Sequence, residues 1–268
     1  MTEEYVVRFF KAMRRSKPKY IYGYPSAIFA FAKSLQTKGY YGADIGLRVI
    51  ICTGETLLNF QRKVIEDFFR CRVVNEYGCS ELGIIAFECE NRKLHLSLDD
   101  LYVEFVDDNG NRTVDGGNII VSDLFNYDAP LIRYKVGDIS NSGIKPKCEC
   151  GRKLPFINGV EGRISEMIEL PSGKKIHSEV FHYISDAIVE RDDGVKEFRV
   201  KQTSENEFLV ELVRDYGYST DTEKLIRKLF HDKFETEMNI NIEVKDKLKR
   251  DNSGKLRYFI PLDEQEIV

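Results

Sequence analysis

The sequence predicts a chain of mixed fold class, α/β and α+β, built from two modules. Three observations lead to this prediction: a strand–helix–strand pattern near the start, short alternating apolar runs in the middle, and a change of composition after Gly162. A chain of 268 residues can hold one large core or two unequal ones. We place the boundary between Val160 and Ser165, so the predicted modules are residues 1–161 and 162–268.

The first module should open with two helices and a β-α-β unit. Apolar residues recur at helical spacing from Val6 to Met13 and from Ala27 to Leu35, the second set behind Pro25, which suits a first helical turn. A buried strand, an amphipathic helix and a second strand follow, predicted at residues 47–52, 57–69 and 72–75. This order is that of a β-α-β sheet unit.

The middle of the chain predicts an antiparallel sheet or a distorted β-barrel. Its short alternating runs are Ile84 to Phe87, Leu101 to Val106, Ile119 to Ser122 and Leu131 to Tyr134. The segment Asp108-Asn109-Gly110-Asn111 reads as a tight turn between two of these strands.

The second module predicts a small α+β domain. It should begin with a hairpin that turns at Pro171-Ser172-Gly173. The remaining elements are a helix at 178–190, strands around Phe198 and Phe208, a helix at 222–234 and a strand at 240–244.

Composition excludes several classes of partner. Lysine and arginine total 40 against 44 acidic residues, and this balance offers no basic surplus for nucleic acid. The longest apolar run, residues 47–52, is far short of the roughly 20 residues that span a bilayer. The chain opens without a signal-peptide pattern, so we expect a cytoplasmic protein with no membrane partner.

One polar octet follows a predicted buried strand, Glu76-Tyr77-Gly78-Cys79-Ser80-Glu81-Leu82-Gly83. Open α/β sheets usually bind ligands at the carboxyl ends of their strands. The octet offers an aromatic face, a glycine that permits close backbone approach, a hydroxyl, and a carboxylate that could hold magnesium beside a phosphate. The alternative is an ordinary strand-to-loop turn with incidental polar residues.

Other segments carry the same kind of chemistry. Thr53-Gly54-Glu55 closes the preceding strand and should reach the same sheet edge. Arg133 to Asp138 is predicted to end a strand with a carboxylate of the sort that accepts both hydroxyls of a ribose. Gly162-Arg163-Ile164 and Ser253-Gly254-Lys255 complete the set.

In this order and spacing, the segments resemble the core motifs of the adenylate-forming superfamily of acyl-CoA synthetases, luciferases and peptide-synthetase adenylation domains. Three further stretches look most like phenylacetate-CoA ligases and their capsular-polysaccharide-biosynthesis relatives: Tyr22 to Ser26, Cys89 to His95, and Cys148 to Arg152. The resemblance covers essentially the whole chain. It implies that residues 1–161 are the C-terminal part of a large AMP-binding domain and that 162–268 are its small mobile C-terminal domain.

The resemblance also implies a role for each matching residue. Those implied to bind ATP or AMP are Gly54, Glu55, Tyr77, Gly78, Ser80, Asp138 and Arg163. Tyr77 would stack on adenine, and Gly54 and Glu55 would line the base pocket. Ser80 would contact the α-phosphate, and Asp138 would hold the ribose hydroxyls.

Two residues are implied to act in catalysis. Glu81 would bind magnesium, and Lys255 would bridge the acyl carboxylate and the α-phosphate. Charge develops on that phosphate as the carboxylate attacks, so an ammonium and a metal ion should both be aimed at it.

The implied function is an AMP-forming ligase that activates a small aromatic or aliphatic acid and passes it to coenzyme A. A close variant transfers the acyl group to a sugar amine or amino acid. The 268 residues contain no Ser/Thr/Gly-rich phosphate loop, which leaves a second class open. That class is a non-catalytic remnant, or a subunit that binds adenylate, with a separate chain supplying the N-terminal part.

Cys89, His95, Cys148 and Cys150 offer three thiolates and one imidazole, the ligand types and number of a structural zinc site. Cys89 and His95 flank a short loop, and the other two cysteines form a tight pair. Buried reduced thiols, another metal and a redox pair are the alternatives.

Overall fold

The computed structural model describes residues 3–140, 142–163, 167–170, 175–178, 180–181, 184, 187–188, 194–234, 238–250 and 256–262. For residues 3, 162, 163, 167, 169, 175 and 177 the description covers the backbone alone. The chain divides into two compact units, Met1–Glu161 and Gly162–Val268. Each unit is built around its own hydrophobic core.

The first unit opens with helices and parallel strands. Its elements are α1 (Glu3–Ser16), β1 (Tyr20–Gly23), α2 (Pro25–Gln36), a 3-10 turn (Ala43–Ile45), β2 (Val49–Thr53), α3 (Asn59–Phe69) and β3 (Arg72–Cys79). Strands β1, β2 and β3 pair in parallel. The helices pack Phe10, Phe31, Leu35 and Phe68 into one core with Ile50 of β2. The predicted β-α-β unit and both opening helices are therefore confirmed.

The rest of the first unit is antiparallel. Its strands are β4 (Gly83–Glu88), β5 (Leu94–Leu96), β6 (Leu101–Val106), β7 (Gly117–Asp123), β8 (Tyr134–Ser140) and β9 (Phe156–Ile157). The first sheet runs in the order β1-β2-β3-β4-β5-β9. Strands β6, β7 and β8 form a second, antiparallel sheet. The predicted turn at 108–111 is confirmed, with Gly110 in the left-handed region and two backbone amides donating to Asp107.

Strand β8 corrects the sequence prediction. The predicted strand from Leu131 to Tyr134 is wrong, because Arg133 adopts a left-handed φ of 53° and the strand begins only at Tyr134. Gly137 and Asp138 therefore lie inside a strand and do not end one. The pairing of β7 with β8 also skips between Ile120↔Lys135 and Asn118↔Ile139. Residues 136–138 thus bulge from the ladder, and such bulges redirect side chains.

A buried ion pair joins α3 to the sheet. Arg62 Nη2 lies 2.8 Å from Glu88 Oε1, and Arg62 Nη1 donates to Glu88 Oε2 over 3.0 Å and to the Val73 carbonyl over 2.7 Å. Glu88 Oε2 also accepts the backbone N–H of Asn75. These hydrogen bonds from the Arg62 guanidinium fix α3 against β3 and β4.

The second unit is a sandwich of helix and sheet. Its elements are β10 (Gly162–Arg163), β11 (Met167–Glu169), β12 (Lys175–His177), β13 (Val195–Ser204), β14 (Glu207–Arg214), α4 (Thr220–Phe234), β15 (Asn239–Lys245) and β16 (Phe259–Ile260). The main sheet runs β15-β14-β13-β16. Residues 180–181, 184 and 187–188 are helical, where a helix was predicted. Phe181, Phe208, Phe230 and Phe234 form the centre of the core.

The α+β prediction for this unit is confirmed, and the structure contains the short strand β16, which the sequence did not predict. Strands β11 and β12 pair antiparallel about the predicted hairpin, whose turn at 171–174 lies outside the described residues. The sequence missed the short strands β1, β5, β9 and β16. None of the helices in the described part of the chain is long and apolar enough to cross a bilayer.

Candidate functional site

Two predicted binding segments lie side by side at the end of the parallel strands. Thr53, the last residue of β2, is paired with Glu76 of β3. Gly54-Glu55 therefore follow β2 at the same sheet edge where Tyr77-Gly78 continue β3 beyond its last parallel pair. Gly54 has a φ of 73°, a left-handed conformation that suits glycine and turns the chain away from the sheet.

Glu55 connects this edge to the start of α2. Its Oε2 accepts the backbone N–H of Ser26 over 3.1 Å, at the helix N-terminus, where a negative charge is favoured. Its Oε1 is buried and has no hydrogen-bond partner among the described residues. An unpartnered buried acceptor is rare in folded proteins, and this one can receive a ligand's N–H or O–H group.

A tyrosine from β1 reaches the same edge. The hydroxyl of Tyr22 donates a 2.5 Å hydrogen bond to Glu76 Oε1, and this bond raises the pKa of Tyr22. Glu76 is buried, so the tyrosine satisfies a charge that would otherwise be costly to bury. The sequence missed this pair because β1 is only four residues long.

The strand β8 bulge brings Asp138 to Tyr77. The hydroxyl of Tyr77 donates to Asp138 Oδ2 over 2.8 Å, although the two residues are 61 positions apart in the chain. Tyr77 also packs against the hydrophobic core between the two sheets of the first unit. The predicted adenine platform and the predicted ribose carboxylate are therefore direct neighbours.

The turn after β3 receives a second contact from β8. The hydroxyl of Tyr134 is hydrogen-bonded to Glu81, which raises the pKa of Tyr134. Ser80 and Glu81 are both exposed on this turn. Strand β8 therefore contacts both the end of β3, through Asp138 and Tyr77, and the turn that follows it, through Tyr134 and Glu81.

Gly78 is required by the close approach of β4. A Cβ atom at this position would overlap the carbonyl oxygen of Gly83. The β3–β4 pairing is also irregular between Tyr77 and Gly78. The absence of a side chain therefore lets the hairpin close tightly under the turn that carries Ser80 and Glu81.

Two of the predicted site residues cannot be placed by their side chains. Lys255 lies outside the described residues. Arg163 is in strand β10, but its side chain is also outside them. Their roles stay predictions.

The four predicted metal ligands form a separate cluster in the first unit. The ligand atoms of Cys89, His95, Cys148 and Cys150 all lie within 4.8 Å of one another. The backbone N–H of Cys150 lowers the pKa of Cys148 to about 6, whereas burial raises the pKa of Cys150. Cys52, Cys71 and Cys79 lie outside this cluster.

Comparison with known proteins finds one matching domain family and two curated relatives. Residues 168–261 match the CapK C-terminal domain family. The indoleacetate–lysine synthetase of Pseudomonas savastanoi is 31% identical over 139 residues, which are 51% of this chain and 33% of that protein. Protein CapK of Staphylococcus aureus is 24% identical over 266 residues, which are 94% of this chain and 55% of that protein.

A solved structure shares the fold. The 2-hydroxyisobutyryl-CoA ligase in its postadenylation state, in complex with R3-HIB-AMP, gives a TM-score of 0.78 at 19% identity, over 98% of this chain and 58% of that one. The chain therefore spans about half the length of the proteins it matches, or less. The shared fold, the family match over residues 168–261 and the two relatives are what the chain is similar to, and they agree with its resemblance to adenylate-forming ligases.

Proposed function

We propose that the protein containing this chain is an AMP-forming carboxylic acid ligase. It activates a small aromatic or aliphatic acid as an acyl-adenylate and transfers the acyl group to coenzyme A. The observation that carries the proposal is the contact between Tyr77 and Asp138, beside the turn that bears Ser80 and Glu81. One region of the first unit thus contains the aromatic ring of Tyr77, the hydroxyl of Ser80 and the carboxylates of Glu81 and Asp138.

The nucleoside end of the proposed site is made by β2, β3 and β8. The ring of Tyr77 would stack on adenine, whose π face is matched by an aromatic side chain. A carboxylate offers about four acceptor positions, so Asp138 can hold both Tyr77 and the ribose hydroxyls. Gly54 would leave room for the base, and Glu55 Oε1, which has no hydrogen-bond partner among the described residues, would accept a hydrogen bond there.

The phosphate end is made by the turn after β3. The hydroxyl of Ser80 would donate to the α-phosphate, and Gly78 lets the backbone run close to it. Glu81 is an exposed carboxylate on the same turn, and magnesium is commonly bound by one or two carboxylates together with substrate phosphates. Bound magnesium would supply positive charge at the α-phosphate.

In the first half-reaction, a carboxylate oxygen of the acid attacks the α-phosphorus, and the bond to the β-phosphate bridging oxygen breaks. Pyrophosphate leaves, and the acyl-adenylate stays in the site. Lys255 is assigned to neutralise charge between the carboxylate and the phosphate, and Arg163 to contact the ribose or phosphate. In the second half-reaction, the acceptor attacks the acyl carbonyl carbon, AMP leaves, and the acceptor's proton is released.

A second candidate acceptor is an amine. The relative that is 31% identical over half of this chain is named an indoleacetate–lysine synthetase, and another relative is protein CapK. An amine acceptor, such as an amino acid or a sugar amine, would give an amide where coenzyme A gives a thioester. The adenylation half-reaction and its residues would be the same.

The test is ATP–pyrophosphate exchange with a panel of aromatic and aliphatic acids. It should be run on the 268-residue chain and on a protein that includes any in-frame upstream sequence encoding a phosphate loop. We expect acid-dependent exchange from the longer protein and its loss in Asp138→Ala. No exchange with any acid in the longer protein would contradict the proposal. Mass spectrometry of products formed with coenzyme A, lysine or an amino sugar then identifies the acceptor.

A further inference from the structure

We propose that Cys89, His95, Cys148 and Cys150 bind one zinc ion in a closed structural site, which fastens the β4–β5 hairpin to residues 148–150. None of the four has a role in the proposed ligase reaction, so this inference stands independently of it. The proposal rests on donor geometry, on the hydrogen bonds around each donor atom, and on burial.

The donor atoms have the spacing of a tetrahedral zinc site. A zinc–sulfur bond of about 2.3 Å in tetrahedral geometry separates two sulfurs by about 3.8 Å. Cys89 Sγ and Cys148 Sγ are 3.8 Å apart, and Cys150 Sγ is 3.3 Å from His95 Nε2. All four donor atoms lie within 4.8 Å of one another, so a single ion can contact them with small adjustments.

Each cysteine lies in a turn that directs backbone N–H groups at its sulfur. The N–H of Asn91 donates to Cys89 Sγ over 3.4 Å. The N–H of Cys150 donates to the sulfur of Cys148, and the N–H of Arg152 donates to that of Cys150. The donor is therefore always the residue two positions later. Such bonds stabilise charge on a sulfur atom, which is what a metal-bound thiolate carries.

The two turns are themselves tightly closed. The backbone N–H of Cys89 donates to the carbonyl of Lys93 in the β4–β5 turn, where Arg92 has a φ of 56°. Gly151, with a φ of 81°, donates its N–H to the carbonyl of Cys148. Each turn thus presents its sulfur from a backbone that is already folded around it.

The histidine is oriented by its other ring nitrogen. His95 Nδ1 lies 2.6 Å from the carbonyl oxygen of Leu154, so Nδ1 carries the proton and Nε2 faces the sulfurs. A metal-binding histidine usually donates its second ring N–H to a carbonyl or carboxylate in this way. His95 and Cys89 are both buried, and His95 is held in strand β5 between Phe87 and Phe156.

The ligand set is complete without water. Three sulfurs and one imidazole nitrogen fill the four positions that zinc prefers, and structural zinc sites are closed in this manner whereas catalytic ones keep a position open. Three thiolates and Zn²⁺ carry a net charge of −1, and the guanidinium of Arg72 donates to the carbonyl of Cys89 close by. Binding would release the thiol protons to solvent.

The test is metal content and stability of the purified chain. We expect one zinc per chain by elemental analysis and none in Cys148→Ser/Cys150→Ser. The unfolding midpoint of that variant should fall by more than about 5 °C. Cys71→Ser is the matched control, because it makes the same change at a half-buried cysteine outside the cluster, and it should keep its zinc.

A second measurement does not depend on the folding of any variant. The wild-type chain reconstituted with Co²⁺ should show sulfur-to-cobalt charge-transfer absorption and the strong visible bands of tetrahedral cobalt. Iron in place of zinc, a Cys89–Cys148 disulfide in mass spectra of the unreduced chain, zinc retained by the double variant, or octahedral cobalt bands would each overturn the proposal.

Discussion

Tyr77 and Asp138 are hydrogen-bonded over 2.8 Å, with the phenol donating and the carboxylate accepting. Tyr77 lies near the end of β3 in the mixed first sheet, and Asp138 lies in a bulge of the antiparallel second sheet. The contact joins the two sheets of the first unit at the place where the nucleoside is proposed to bind. The hydrogen bond restricts the orientation of the Tyr77 side chain.

Replacing Gly78 by alanine should disturb this region through sterics alone. The new Cβ would meet the carbonyl oxygen of Gly83, in a backbone pairing that cannot move without opening the hairpin. We expect a loss of about 3 kcal/mol in the free energy of unfolding, measured by urea denaturation. Gly159→Ala, where the added Cβ meets open space, is the control and should change stability by less than about 0.5 kcal/mol. Equal effects would show that the β3–β4 approach is looser than described.

Truncating Arg62 should be far more damaging than truncating an exposed basic residue. In Arg62→Ala the Glu88 carboxylate stays buried without its bidentate partner, and breaking a buried pair in this way costs about 3–5 kcal/mol. The loss should appear as a lower denaturation midpoint. Lys224→Ala, which breaks the exposed pair with Asp221, should leave that midpoint unchanged. A wild-type midpoint for Arg62→Ala would mean that the pair does not fix α3.

Lys255 should act in one half-reaction only. We expect Lys255→Ala to block pyrophosphate exchange in the longer protein, because the developing charge on the α-phosphate loses its ammonium partner. Transfer from a supplied acyl-adenylate to the acceptor should continue near the wild-type rate, since the acyl–phosphate anhydride is already formed. Rates of the two steps, measured separately on the same preparation, check this. Equal loss of both steps would count against the assigned role.

Local patterns were enough to predict most of the architecture. Helix α2 begins at a proline and has one apolar face, and α4 buries Ile226, Phe230 and Phe234 at helical spacing. Such elements are specified by residues close together in sequence, as are long strands such as β13 and β14. The short strands β1, β5, β9 and β16 are two to four residues long. They exist because of distant pairing partners, which periodicity does not reveal.

Strand β8 shows where local reasoning failed. Alternating residues from Leu131 to Tyr134 suggested a strand. Arg133 instead adopts a left-handed conformation, and its backbone N–H donates to the Ser122 hydroxyl. The bulge at 136–138 depends on pairing with β7 and on the positive φ of Gly137. Its effect on the direction of Asp138 could not be predicted without the partner strand.

For the candidate sites as well, the sequence predicted the residues but not the contacts between them. Residue types and order pointed to Tyr77 and Asp138, but the hydrogen bond between them depends on the two sheets meeting. The contacts of Tyr134 with Glu81 and of Tyr22 with Glu76 were missed, because each joins residues far apart in the sequence and a tyrosine alone carries no distinctive signal. Ligand chemistry suggested the Cys and His set, whereas its close spacing depends on two turns 59 residues apart.

Titration calorimetry of AMP against the 268-residue chain would show whether the first unit binds a nucleotide at Tyr77 and Asp138. The account predicts saturable binding that Asp138→Asn weakens by at least about tenfold, equivalent to about 1.4 kcal/mol, because the ribose hydroxyls lose their carboxylate acceptor. Asp67→Asn makes the same change on the exposed surface of α3 and should bind as the wild type does. Absence of AMP binding, or equal affinity in the wild type and Asp138→Asn, would contradict the account.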